Sequence, residues 1–176
     1  MIPKKLSREI IYENDWVNLY IDKVQYGDGH VLEKYHFIHF DYESIAVVVQ
    51  NDKNEVLLIK SNRYTTQSEE WEIPAGRVED GEASLNAALR ETLEETGFSL
   101  ISPKLVYRYN PINGISDKTI AVYKANVLRK EGDHDPLEVS GIKWVSKDKI
   151  MEMLSKNEIK CGVSLTGLML VLFCGL

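Results

Sequence analysis

Three glutamates in segment 76–98 constrain the fold of this chain more than any other sequence feature. Glu91, Glu94 and Glu95 are spaced i, i+3 and i+4. On an α-helix this spacing places the three carboxylates on one face within a single turn. Carboxylates held so close repel one another, and a cation such as Mg²⁺, which prefers oxygen ligands, would remove that repulsion. The spacing therefore predicts a helix whose acidic face is either a solvated surface or a metal site.

The same segment carries the pattern of a helix that packs against a core. Apolar or partly apolar residues recur at i, i+3, i+4, i+7 and i+8 and predict one buried stripe. The stripe consists of Leu85, Ala88, Leu89, Thr92 and Leu93. Asp80 and Glu82 would place negative charge at the start of the helix, where its dipole favours it. Gly97 stands where a residue in the left-handed conformation would end the helix.

The residues around the helix resemble the signature of the Nudix hydrolase family. Gly76, Glu82 and the unbroken run from Arg90 to Phe98 supply every polar and glycine position of that signature. Thr92 is the one departure, because the family usually has an aliphatic residue there. The resemblance implies an α+β fold of the Nudix type, an α/β/α sandwich with a mixed sheet. It also implies the hydrolysis of a pyrophosphate bond.

The order of predicted elements agrees with such a domain. Alternating apolar residues predict antiparallel strands in residues 10–40, a layer that a minimal Nudix domain does not need. Further strands are predicted at 44–49, 56–59, 71–73, 105–109, 119–127 and 139–145, and helices at 147–156 and in the apolar C-terminal segment. We therefore divide the chain into a strand layer, residues 1–42, and a Nudix hydrolase domain, residues 43–176. The layer resembles the dimer-building extension of the ADP-ribose and nucleoside-diphosphate-sugar branch of the family.

The resemblance also implies which residues hold the metal. Mg²⁺, with Mn²⁺ as a substitute, would bind the carboxylates of Glu91, Glu94 and Glu95 and the main-chain carbonyl of Ala75. Arg90 and Glu82 would pair with each other and orient the loop, although Glu82 could instead serve as a ligand. Gly76 and Gly97 are expected to have structural roles.

Three residues are candidates for binding the substrate. Glu72 precedes Pro74 in a segment that resembles ADP-ribose pyrophosphatases, and its alternative role is that of an ordinary strand carboxylate. Arg63 matches an arginine that relatives use near the phosphates, but Ser61 replaces their usual glutamine, so a solvated loop arginine is the alternative. Trp16, in the strand layer, is expected to reach the base-binding pocket of a partner subunit.

The glutamates of the signature would be occupied by metal, so another carboxylate must take the proton from the attacking water. Asp117 lies in a loop, residues 110–118, that resembles one of the ADP-ribose branch, although Lys118 replaces the usual acidic residue. A second loop, residues 131–138, carries Asp133, Asp135 and Glu138. Because a residue at the edge of a strand is held more rigidly than one in mid-loop, we rank Glu138 first and Asp117 second.

Composition narrows the class of protein. The 176 residues suffice for one domain with a sizeable core, and the net charge of −6 argues against binding nucleic acid or anionic membranes. Cys161 and Cys174 lack metal-ligand spacing and predict free thiols in the cytoplasm. The apolar segment 165–176 is shorter than the roughly 20 residues of a membrane-spanning helix.

These observations predict a cytoplasmic, homodimeric, Mg²⁺-dependent enzyme that acts on a small nucleotide sugar. ADP-ribose, cut to AMP and ribose 5-phosphate, is the first candidate substrate. GDP-mannose or another nucleotide is the alternative substrate, and a non-catalytic ligand-sensing module of the same fold is the alternative from another class. The base, the sugar and the number of metal ions stay open at this point.

Overall fold

The structure, a computed structural model, describes all residues from 1 to 176. The chain forms two compact units. The first contains Met1–Glu43 and Asn110–Thr119, and the second contains Ser44–Tyr109 and Ile120–Leu176. The first unit thus combines the predicted strand layer with the loop around Asp117.

The first unit is a three-stranded antiparallel sheet in the order β1-β2-β3. Its strands are β1 (Lys4–Tyr12), β2 (Asn18–Gln25) and β3 (Val31–His39). In β2 buried residues alternate with half-buried ones, as expected for a central strand, whereas β1 is exposed along its whole length. Arg8 fastens β1 to β2 through a bidentate pair with Asp22, at 2.7 and 2.8 Å. The antiparallel strands predicted within residues 10–40 are therefore present.

The second unit is built on a mixed seven-stranded sheet. Its strands are β4 (Ser44–Gln50), β5 (Val56–Arg63), β6 (Ser68–Glu72), β7 (Ala75–Arg77), β8 (Phe98–Tyr109), β9 (Ile120–Lys130) and β10 (Val139–Val145). Five of them follow the order β10-β5-β4-β9-β8, while β6 pairs with β5 and β7 pairs with β4. The sheet is mixed because β4 and β9 run parallel and the other pairs run antiparallel.

Helices cover both faces of this sheet. They are α1 (Ser84–Thr96), α2 (Lys147–Ser155) and α3 (Gly162–Leu172). Along β4, Val47 and Val49 face a core shared with α1, and Ala46 and Val48 face a core shared with α2 and α3. Both faces of this strand are therefore buried, which explains its continuous apolar run. The predicted α/β/α sandwich is confirmed. None of the three helices has the length and apolar character that crossing a membrane requires.

The ends of α1 agree only partly with the prediction. At the C-terminus, Gly97 has φ of 71° and its N–H donates to the carbonyl of Leu93 at 2.7 Å, so the predicted left-handed cap is present. At the N-terminus, the helix begins at Ser84. Asp80 and Glu82 precede it and add no charge to its first turn, so that part of the prediction was wrong.

The face of α1 that packs against the sheet was predicted correctly for Ala88, Leu89 and Thr92 but wrongly for Leu85 and Leu93. Ala87, Ala88 and Thr92 are buried, but Leu85 and Leu93 are each 41% exposed. Small side chains let the helix backbone approach the sheet closely, and this rotates the larger leucines towards solvent. The same rotation buries Glu95. The packing of α1 therefore places one acidic residue inside the protein.

Candidate active site

The short strand β7 brings main-chain groups against the acidic face of α1. Ala75 and Gly76 pair with Ala46 and Ile45 of β4, which fixes the position of β7 in the sheet. The N–H of Ala75 donates to Oε2 of Glu95 at 2.9 Å. The predicted metal ligands Ala75 and Glu95 are therefore neighbours.

Gly76 gives the second close approach between β7 and α1. A Cβ atom at this position would lie 2.0 Å from Cδ of Glu91, far inside van der Waals contact. Only a residue without a side chain allows the Glu91 carboxylate to lie against the backbone here. The requirement for glycine at this position thus follows from packing of the acidic residue.

We expect Gly76→Ala to lower kcat because the added methyl displaces the Glu91 carboxylate. A displacement of about 1 Å costs on the order of 10²-fold in rate when a group must be positioned for chemistry. The measurement is kcat with the melting temperature, and Gly162→Ala is the control, because a Cβ at Gly162 meets nothing within 4 Å. Equal activity of the two variants would contradict the role of this contact.

Arg90 binds one acidic residue of the loop before α1 and two acidic residues of α1 itself. Its guanidinium donates to Glu82 at 3.1 and 2.9 Å and to the carbonyl of Arg77 at 2.9 Å. It also donates to Glu91 at 2.9 Å and to Glu94 at 3.1 Å. Hydrogen bonds to Glu82 and Glu91 raise the pKa of Arg90 despite its partial burial. Arg90 thus ties the loop before α1 to the glutamates of the helix.

Burial disfavours the charged forms of two acidic residues of α1, Glu91 and Glu95. Burial raises the pKa of Glu95 to about 8, against the hydrogen bond from Ala75, and the charges of Glu91 and Glu138 add to the rise. Burial is also the main cause that raises the pKa of Glu91, outweighing the contacts with Arg90, and the charges of Glu94 and Glu138 act in the same direction. Such a cluster favours the presence of a cation.

The donor atoms fit a divalent metal, although the side chains are not yet arranged around one point. Arg90 and the N–H of Ala75 hold the carboxylates, and no three acidic, histidine or cysteine side chains are grouped as a metal site. The set of Glu91, Glu94, Glu95 and the main chain at Ala75 consists of oxygen donors, which hard divalent cations prefer. Arg90 contacts one oxygen each of Glu91 and Glu94, which leaves the other oxygen of each carboxylate for a metal.

Glu72 and Arg63, two candidates for substrate binding, form an ion pair that the sequence did not reveal. Nε and Nη2 of Arg63 donate to the two carboxylate oxygens of Glu72 at 2.7 and 2.5 Å. Glu72 is only 2% exposed, whereas the Arg63 side chain is 45% exposed. The pair arises because β5 and β6 form an antiparallel hairpin, whereas the sequence predicts only the shorter strands 56–59 and 71–73. Glu72 thus holds a partly exposed arginine in one orientation.

The candidate proton acceptors lie in different units. Glu138, in the second unit, is close enough for its charge to raise the pKa of both Glu91 and Glu95. Asp117 belongs to the first unit, where it binds His39. Asp133 pairs with Lys130 at 3.1 Å, and Asp135 accepts from the N–H of Leu137 at 2.8 Å.

The loop before β10 is attached to the C-terminal end of α1, which the sequence did not indicate. The N–H groups of Glu131 and Gly132 donate to the carbonyl of Gly97 at 2.8 and 3.2 Å, and that of Asp135 donates to the carbonyl of Glu94 at 3.3 Å. These bonds satisfy carbonyls that a helix end leaves without partners. The loop that precedes Glu138 is therefore fixed to the helix that carries the glutamates.

Trp16 lies between β1 and β2 in the first unit and is 65% exposed. The main-chain N–H of Trp16 donates to Oδ1 of Asn14 at 2.8 Å, which shapes the turn. Trp16 is therefore largely exposed at the surface of this unit.

His39 joins the loop around Asp117 to the sheet of the first unit. Nδ1 lies 2.5 Å from Asp117 and Nε2 lies 3.0 Å from Asp41. An imidazole donates at both nitrogens only when it is protonated. Burial lowers the pKa of His39, but the hydrogen bonds and charges of Asp117 and Asp41 outweigh burial and raise it.

We therefore expect His39→Gln to destabilise the protein more at low pH than at high pH. A histidine with a raised folded-state pKa contributes its full stabilisation below its unfolded pKa of about 6.5, and loses it as the pH rises through the folded pKa. The measurement is the difference in melting temperature from wild type at about pH 6 and about pH 9. His36→Gln, an exposed change on the same strand, is the control. A difference independent of pH would contradict the expectation.

Comparisons with known proteins identify the family of this chain. Residues 42–161, about two thirds of the chain, match the NUDIX domain. The chain is 25% identical over 170 residues to the CMP-5'-(N-acetyl-N-hydroxy-3-aminopropyl)phosphonate hydrolase of Streptomyces rubellomurinus, with 96% of this chain and 82% of the relative covered. It is 24% identical over 159 residues to the ADP-ribose pyrophosphatase of Bacillus subtilis, with 89% and 85% covered.

A solved structure confirms the fold. The crystal structure of an ADP compounds hydrolase superposes with a TM-score of 0.85 at 19% identity, and the match covers 97% of this chain and 92% of the other. The family match covers α1, β7 and the loop before β10, which together form the candidate active site. The chain is a member of the Nudix hydrolase family.

Proposed function

We propose that this chain hydrolyses the pyrophosphate bond of a nucleoside diphosphate linked to a sugar, and that ADP-ribose, cut to AMP and ribose 5-phosphate, is the first candidate. The observation that carries the proposal is the complete acidic face of α1 against Ala75 and Gly76. The relative named ADP-ribose pyrophosphatase aligns with 89% of the chain, which supports this choice of substrate.

The chemistry needs positive charge at the pyrophosphate and a water that loses a proton. Nudix hydrolases generally require a divalent metal, and we propose Mg²⁺, with Mn²⁺ as a substitute, held by Glu91, Glu94, Glu95 and the carbonyl of Ala75. The bound cation would supply the charge that neutralises the phosphates. Arg90 then stays paired with Glu82 and the carbonyl of Arg77 and keeps the loop before α1 in place.

The remaining roles fall to side chains outside α1. Arg63 suits a phosphate oxygen because its guanidinium is planar and its Glu72 partner fixes its direction. Glu138 is proposed to take the proton of the attacking water, because its charge acts on Glu91 and Glu95. Asp117 is the second candidate, although its pairing with His39 in the first unit disfavours it.

A panel of nucleotide sugars tests the proposal. ADP-ribose, GDP-mannose and a CMP-linked phosphonate are incubated with the protein and Mg²⁺, and the released nucleoside monophosphate is measured. The phosphonate is included because the Streptomyces relative is named for such a substrate. Release of AMP from ADP-ribose at the highest kcat/KM supports the proposal. Binding of all compounds without turnover would instead support a ligand-sensing module, which the complete set of glutamates disfavours.

We also propose that residues 1–42 build a homodimer in which Trp16 contributes to the base-binding pocket of the partner. The edge strand β1 supports this proposal, because it exposes Leu6, Ile10 and Ile11. Unpaired strand edges with apolar side chains tend to pair with another chain.

Cys161 and Cys174 are free thiols, which supports a cytoplasmic location.

Light scattering at micromolar concentration is expected to give about twice the chain mass of 20.1 kDa. Ile10→Glu should shift the protein towards the monomer, because it places a charge in the proposed interface. Leu128→Glu is the control, since Leu128 is also exposed but lies on β9. A wild-type monomer with full activity would refute the proposal of a dimer.

A further inference from the structure

A small polar cavity lies in the second unit, away from the acidic face of α1. Its volume is about 290 Å³. Its lining residues are Gln50, Ser102, Lys104, Lys124, Ala125 and Asn126. Two of these side chains are positive and none is negative, in a chain whose net charge is −6. We name it the two-lysine cavity.

The register of β8 and β9 creates this concentration of positive charge. Lys104 and Lys124 are direct partners across the ladder, and Ile101 is the partner of Asn126. Three steps along β8 therefore match two steps along β9, which is a β-bulge. Without the extra residue, Pro103 instead of Lys104 would lie opposite Lys124. The bulge includes Ser102, whose φ of 53° is uncommon for a residue other than glycine.

Opposing lysines are unfavourable unless an anion accompanies them. Side chains directly opposite in an antiparallel pair have Cβ atoms about 5 Å apart, and like charges there are destabilising. Neither lysine forms a salt bridge with a carboxylate side chain. Nζ of Lys124 donates to the main-chain oxygen of Leu176 at 2.7 Å, which uses one of its three donors. The remaining donors of Lys124 and those of Lys104 are available to a ligand.

The two-lysine cavity is distinct from the candidate active site. Ala75 pairs with Ala46 at one end of β4, whereas Gln50 lies four residues further along. At about 3.3 Å per residue this separation is roughly 13 Å. Gln50 also continues the alternation of Ala46 and Val48, which face α2 and α3 rather than α1. The cavity is therefore near the end of β4 that lies away from the candidate active site.

We propose that the two-lysine cavity is a binding site for a phosphate group. Two ammonium groups provide the charge, and the Ser102 hydroxyl and the amides of Gln50 and Asn126 provide neutral hydrogen-bond donors. Pockets that enclose whole small molecules measure about 300–1,000 Å³, so a cavity of about 290 Å³ suits one small anion or the phosphate end of a larger molecule. The phosphate group comes from inorganic phosphate or from a phosphate monoester such as AMP. This proposal does not depend on the proposed hydrolase activity.

The test measures binding to the full chain without divalent metal, because the acidic face of α1 then repels anions. Inorganic phosphate and AMP are titrated separately at constant ionic strength, and amide chemical shifts and the melting temperature are recorded. For wild type we expect saturable shifts at residues 102–104 and 124–126 and a rise in melting temperature. For Lys104→Gln/Lys124→Gln we expect a Kd for phosphate at least tenfold higher than that of wild type, which corresponds to a loss of about 1.4 kcal/mol in binding free energy.

The variants also separate specific binding from a general salt effect. Lys34→Gln/Lys53→Gln removes the same charge from exposed positions and is expected to bind phosphate as wild type does. Removing the opposed lysines relieves their repulsion and also removes the contact of Lys124 with Leu176, so the phosphate-free protein should be about as stable as wild type. Equal stabilisation of both double variants by phosphate, or no localised shifts, would overturn the proposal. Binding of AMP with the same lysine dependence identifies the ester as a source, and binding of inorganic phosphate alone identifies the free ion.

Discussion

Glu95→Gln and Glu91→Gln are each expected to lower kcat by several powers of ten while the protein stays folded. Each lost power of ten corresponds to about 1.4 kcal/mol of activation free energy. The physical reason is that each variant removes one carboxylate from the oxygen donors beside Ala75 and Gly76. An amide is a neutral and weaker ligand for a hard divalent cation.

The stability of the Glu95 variant separates a metal ligand from a structural residue. The pKa of Glu95 is raised from 4.5 to about 8, so its ionisation disfavours the folded state of the metal-free protein. Stability should therefore fall in wild type as the pH rises from about 4.5 towards about 8, and Glu95→Gln should lack this loss. Added Mg²⁺ should raise the melting temperature of wild type more than that of the variant.

The measurements are kcat and the melting temperature with and without Mg²⁺. The control variant Glu158→Gln is measured in the same way. Glu158 is an exposed glutamate outside the candidate site, and its replacement should leave kcat unchanged. Full activity of Glu91→Gln or Glu95→Gln would disprove the metal-site assignment. A melting temperature far below that of wild type would mean that the carboxylate is structural.

Glu138→Gln is expected to lower kcat by about 10²–10⁴, the usual effect of removing a general base. Glu138 comes just before β10, and the loop in front of it is hydrogen-bonded to the end of α1. Its charge also raises the pKa of Glu91 and Glu95, so it lies near these two residues. These observations favour Glu138 over Asp133, which pairs with Lys130 at the surface.

Asp117→Asn is the matched comparison. It is expected to retain at least about a tenth of wild-type kcat, which is a smaller loss than the removal of a general base causes. Asp117 accepts hydrogen bonds from His39 and from the main chain at Phe40, so its role in this structure is to hold a loop. Both variants are assayed at saturating substrate and Mg²⁺. If Glu138→Gln also retains more than about a tenth of the activity, a different group must activate the water.

Several features of the candidate site could be predicted from short stretches of sequence. The i, i+3, i+4 spacing places Glu91, Glu94 and Glu95 in one turn of any helix, because the geometry of a helix repeats every 3.6 residues. Gly97 ends α1 for an equally local reason, since its φ is positive. The run from Arg90 to Phe98 likewise sufficed to indicate the family, which the match over residues 42–161 bears out.

Contacts that depend on strand pairing and loop closure were not predictable in the same way. The pair of Arg63 and Glu72 depends on the β5–β6 hairpin, and the position of Asp117 depends on its pairing with His39, 78 residues away. Neither arrangement follows from a short-range pattern, because loop closure and strand register decide which side chains meet.

By itself, the sequence determined the helix with its three glutamates, the strand layer, the α/β/α class and the family. The tertiary structure alone decided that Leu85 and Leu93 face solvent and that Glu95 is buried. The hydrophobic pattern could not fix this rotation, because small residues such as Ala87 and Ala88 determine how closely a helix approaches a sheet. The raised pKa of Glu95 follows from that packing, since desolvation depends on every atom placed around a carboxylate rather than on its neighbours in sequence.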